Sequence, residues 1–152
     1  MNPTVLLILV TLGCLQPKDN ETDSGDTAGH TSSDWSLLAD EIGNGALLSA
    51  WTDLGTTQMV GGDMHGGPGL RVAYDGDALC IEANITERAL WWIHGDRPGR
   101  WVAVGEAGTV LLQEDGVRTR MDVDTSATLY GTWVTADAII AVTPPPLSLS
   151  LS

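Results

Sequence analysis

From residue 46 to residue 142 short apolar runs alternate with breaks rich in Gly and Asp. The runs are four to eight residues long on average, about the length of strands, and favour Val, Ile, Leu and Trp. Gly interrupts them too often for a helix to propagate. The same pattern recurs along the chain. Stretches 46–51, 89–94 and 128–133 align, with Leu47, Leu90 and Leu129 equivalent, and with Trp51, His94 and Trp133 equivalent. The period is about 40 residues, the length of one supersecondary unit in several repeat architectures.

Each copy continues in step. A second strand is expected at 58–61, 101–105 and 138–142, and a third at 69–76 and 109–116, both ending in Asp-Gly. That dipeptide tolerates positive φ and closes tight hairpins. Fourth strands follow at 79–83 and 117–121, and residues 35–38 read as the last strand of a preceding unit. The pattern predicts an all-β fold of tandem four-stranded antiparallel units, two complete and two partial. In the resulting strand at 89–94, Trp91 and Trp92 point to opposite faces.

The segments around Leu90, Trp91, Trp92, Ile93 and His94, around Trp101 to Val110, and around Leu129 to Trp133 resemble bacterial envelope β-propeller repeat proteins, related to the photosystem II assembly-factor and Asp-box propellers. The resemblance spans 35–142. It implies blades of an incomplete, open β-propeller, and it brings no catalytic residue. The complete Asp-box motif is missing, so the sialidase branch is not implied. A closed propeller has four to eight blades. Here Thr143 leads into three prolines and then Leu-Ser repeats, so 143–152 is expected to be an irregular tail and the gene to be truncated or frameshifted.

The N-terminus carries a different signal. Residues 5–12 are apolar but fewer than the roughly 20 that span a bilayer. They suit the core of a secretory signal, and Gly13-Cys14 directly after them resembles the bacterial lipobox. The expectation is a signal peptide at 1–13, lipidation of Cys14, an acidic tether at 14–34 and the repeat domain at 35–142. That places the protein in the cell envelope as an outer-membrane lipoprotein facing periplasm or exterior. Asp19, Glu21 and Asp23 alternate as in a calcium loop, but Ser24 and His30 stand where Gly and Glu are required, so no metal is expected. With Cys14 lipidated, Cys80 is expected to be an unpaired packing thiol.

Charge narrows the partners. Seven basic residues against 20 acidic ones give a net charge of −13, which leaves no basic patch for nucleic acid. No Gly-x-Ser-x-Gly elbow accompanies the His-Gly-Gly at His65, and the three histidines show no ligand spacing. The expectation is therefore a non-enzymatic surface-anchored binding or scaffold module with no catalytic residue and no cofactor. Trp91, Trp92 and His65 are the candidate binding residues. Protein and glycan ligands both stay open, as does self-association through open blade edges. The alternatives are a fragment of a larger propeller hydrolase or lyase, and a non-functional truncated product.

Overall fold

A computed structural model of the chain describes the backbone of residues 13–15, and residues 37–39, 41–43 and 45–144. The tether at 16–34 and the tail beyond 144 lie outside the described residues. The strands are β1 (Gly13–Leu15), β2 (Ala46–Asp53), β3 (Thr56–Gly62), β4 (Gly69–Tyr74), β5 (Leu79–Thr86), β6 (Leu90–Arg97), β7 (Arg100–Gly105), β8 (Val110–Glu114), β9 (Val117–Met121), β10 (Gly131–Val134) and β11 (Ile139–Val142). They form three sheets in the orders β1-β5-β4-β3-β2, β6-β7-β8-β9 and β10-β11, with every pairing antiparallel. The all-β, repeat-like architecture expected from the sequence is present. Each sheet begins with its most inward strand, and β6 lies between β2 and β10.

Two details show that the first two sheets repeat one design. Both carry a β-bulge at the same place, between Leu47 and Ser49 in β2 and between Leu90 and Trp92 in β6. Opposite the bulge stands a glycine, Gly61 across from Leu47 and Gly105 across from Leu90. A Cβ at Gly61 would overlap the carbonyl of Ala46, and one at Gly105 that of Ala89. The bulge pushes the neighbouring backbone into the space a side chain would need.

Packing between sheets explains the sequence of β7. All six of its residues are buried. Trp101 and Ala103 point to the first sheet and join Val60, Leu90, Ile93 and Leu111, with Trp51 at the margin. Val102 and Val104 point the other way and join Val110, Leu129 and Val134. A strand covered on both faces reads as a continuous apolar run, whereas a half-exposed one alternates. The outer face of the first sheet is closed by Leu70, Val72 and Leu79 against Ala39 and Ile42.

Three expectations need correction. Leu37 and Leu38 carry no strand, so the residues before the first sheet supply no described last strand of an earlier unit. The two Asp-Gly pairs are not equivalent. At Asp115 and Gly116 both φ values are positive, 49° and 82°, and a two-residue turn joins β8 to β9. At Asp75 the carboxylate instead accepts N–H bonds from Asp77 and Ala78 at 3.0 and 2.8 Å, which builds a longer loop. The third strands are consequently displaced by one residue from the alignment on Asp-Gly: Val72 pairs with Met59 where Leu111 pairs with Ala103. A slip of one residue exchanges the faces of a strand.

Cys80 is the third correction. It is disulfide-bonded rather than an unpaired thiol. The chain has two cysteines, and the register of β1 on β5 sets Cys14 directly across from Cys80.

Candidate functional site

The last sheet has two described strands, and nothing described covers its outer face. Along β10 and β11, Trp133 pairs with Ile140 and Gly131 with Val142. Residues directly opposite each other share a face, as do residues two apart, so Trp133, Ile140 and Val142 all project to the same side. Trp133 is 59% exposed, Ile140 55% and Val142 54%. Trp92, 45% exposed, adds a second indole from the neighbouring β6. Together with His94 and Thr132 they line an open cleft of about 250 Å³.

Neighbouring groups hold the walls in place. The His94 imidazole stacks on the Trp133 ring, with centroids 4.1 Å apart and planes 28° apart. Its Nδ1 accepts the Val134 N–H at 3.1 Å, which ties β10 to β6 and sets the tautomer. The Thr132 hydroxyl donates to the Ile140 carbonyl at 3.0 Å. The polar groups at the rim are thus used within the fold, and the cleft offers chiefly apolar surface. Tyr130 stands edge-on to Trp91, centroids 4.9 Å apart.

The three candidate binding residues separate. Trp92 lies in the cleft. Trp91 is the extra residue of the β6 bulge, packs on Tyr130, and its buried Nε1 has no hydrogen-bond partner. His65 sits in the β3–β4 connection, where its backbone N–H donates to Asp63 Oδ1 at 2.9 Å and its ring approaches the same oxygen at 3.3 Å. That N–H bond is the main reason the Asp63 carboxyl sits below its usual range. His65 is no part of the cleft lining. Trp133 was missed as a binding residue. Its equivalence to Trp51 pointed to packing, and only the lack of a following sheet leaves it open. Lipidation at Cys14 would use the sulfur of a residue whose backbone faces the bonded Cys80.

Carboxylates elsewhere are committed to arginines. Glu82 holds both Arg71 at 2.9 Å and Arg118 at 2.8 Å, and both guanidinium groups lie beside the Trp101 ring at 5.6 and 5.7 Å. Arg71 also donates to Gln58, and desolvation is the largest influence lowering its pKa. Asp96 pairs with Arg100 at 2.8 Å, and Glu114 with Arg97 at 2.6 Å. Burial works to raise the Asp96 pKa, but the Arg100 hydrogen bond and the charges of Arg100 and Arg97 together hold it low. A roomier depression of about 330 Å³ beside Asn84 and Arg120 is walled partly by long exposed side chains, Glu87 at 88% and Arg120 at 56%. Among the described residues no group of three metal-ligating side chains comes together.

Comparison with protein-family models, with curated proteins and with solved structures finds no match.

Proposed function

We propose that the chain is a non-enzymatic protein-binding module, built as an open propeller-like array whose uncovered last sheet is the binding surface. The observation that carries this reading is the cleft of Trp92, Trp133, Ile140 and Val142. The first two sheets each bury the corresponding face against the sheet that follows. The partner that fits is therefore an apolar β-segment of another protein, laid where a further sheet would pack. Exposed tryptophans grouped with aliphatic residues are the usual anchors of such contacts. A glycan is less well served, because stacking on an indole needs converging hydrogen bonds as well. Here the Thr132 hydroxyl and His94 Nδ1 already serve the fold.

The envelope assignment draws support from the bonded Cys80, since disulfides persist in oxidising compartments. Anchoring through Cys14 is a separate proposal. One sulfur cannot carry both a diacylglycerol thioether and a bridge. Intact mass before and after reduction separates the two: a gain of a hydrogen pair marks a bridge, and the mass of a diacylglycerol that survives reduction marks an anchor.

The binding proposal is tested by titrating short alternating Val-Thr peptides and a set of neutral oligosaccharides into the protein while following tryptophan fluorescence. Peptide binding that falls about tenfold in Trp133→Ala is expected, the loss of one interface anchor. Saturable oligosaccharide binding with no response to the peptides would overturn it.

A further inference from the structure

We propose that residues 147–152 form the third strand of the last sheet, pairing antiparallel with the free edge of β11. The inference rests on the edge and on the sequence, and is independent of what occupies the cleft. On one side β11 bonds β10, and among the described residues no strand pairs with its other side. Its Ile-Ile-Ala-Val sequence carries none of the charges or prolines that blunt a free edge.

The second sheet gives the geometry of the missing strand. There β7 passes to β8 through residues 106–109, and Val104 pairs with Val110. His94 pairs with Val102 as Trp133 pairs with Ile140, and Trp92 with Val104 as Gly131 with Val142. Val142 is thus the counterpart of Val104. The same interval along the chain from Val142 reaches Ser148, then sets Leu149 across from Ala141 and Leu151 across from Ile139. Pro144, Pro145 and Pro146 fall in the connection, where no ladder N–H is required.

Side chains agree with that register. Leu149 takes the place of Leu111, which is 4% exposed and faces the preceding sheet. The Leu-Ser alternation has the period of a strand. It turns Leu149 and Leu151 toward the cluster of Val102 and Val104, at whose margin Ile139, Leu112, Met121 and Val123 are only partly buried. It turns Ser148 and Ser150 to the open face beside Ile140 and Val142. A second copy of the chain is the rival occupant of this edge, and a net charge of −13 works against it.

Hydrogen exchange by mass spectrometry on the full chain tests the proposal. Leu149→Asp with Leu151→Asp should speed exchange of the β11 amides by about tenfold, as expected when an edge pairing is lost. Ser148→Asp with Ser150→Asp should leave them unchanged, and β6 to β9 should be unaffected in both. Identical β11 exchange in all three proteins overturns the proposal, as does β11 protection that grows with protein concentration, which assigns the edge to a second copy. Should the leucine variants lose their fold, the unmodified chain still decides: backbone proton contacts between Ala141 and Leu149 by nuclear magnetic resonance are required, and their absence refutes the pairing.

Discussion

Gly61 and Gly105 show how a single residue type records the architecture. Neither has the space for a Cβ, because the bulge of the preceding strand brings a carbonyl into that volume. Gly105→Ala is expected to cost about 3 kcal/mol, the upper part of the range for overpacking. Gly99→Ala meets no atom within 4 Å, and only its φ of 74° opposes the change, so a loss of about 1 kcal/mol is expected. Chemical denaturation of the two variants checks the ordering, and equal losses would refute the steric account. Glu82 is the second sensitive residue. It neutralises two guanidinium groups, with 13% of its side chain exposed. Glu82→Gln leaves those charges facing each other over Trp101, and a loss of about 3 kcal/mol is expected by the same measurement. Trp133→Ala, at a largely exposed site, should change stability by less than about 1 kcal/mol.

At the scale of elements, strands were legible where hydrophobic period and turn chemistry agreed. The matched Leu90 and Leu129 are buried, and 117–121 is strand β9 as expected. The six buried residues of β7 were visible as one apolar run. The alignment failed where a side chain, rather than the backbone, makes the turn. Asp75-Gly76 and Asp115-Gly116 are the same two letters, yet one is a loop held by the Asp75 carboxylate and the other a tight turn. Nothing local in the sequence distinguishes them. The Asp75 carboxyl has a pKa held low, first by the Ala78 N–H and then by that of Asp77. A carboxyl with a depressed folded pKa stabilises the native state above its unfolded value of about 3.9. That stability is lost as pH falls through the folded value. Asp75→Asn should therefore flatten the acid end of the stability profile below about pH 4 relative to the unmodified chain, read by thermal unfolding. An unchanged acid limb would contradict the role given to the loop. The candidate site was half legible: the exposed Trp92 was foreseen, but Trp133 looked like core because its counterpart Trp51 packs there.

The whole molecule is a stack of antiparallel sheets joined face to face, closed at one end and open at the other. The first sheet is covered by Ala39 and Ile42 on its outer face, and β1 extends its edge to a fifth strand. The last sheet exposes indoles and aliphatic side chains instead. The covered end holds the bonded Cys80, so reduction should act there. Removing a native bridge of this kind costs roughly 2–4 kcal/mol. Reductant is expected to lower the melting temperature, and Cys80→Ser to abolish that response; a melting temperature indifferent to reductant would contradict a structural bridge. The open end carries the functional claim. The most direct test is calorimetric titration of an alternating Val-Thr peptide into the unmodified protein, Trp133→Ala and His65→Ala. Saturable binding, weakened about tenfold by Trp133→Ala and unaltered by His65→Ala, is the predicted result. Equal binding by all three proteins, or no binding by the unmodified one, would contradict the assignment of the cleft.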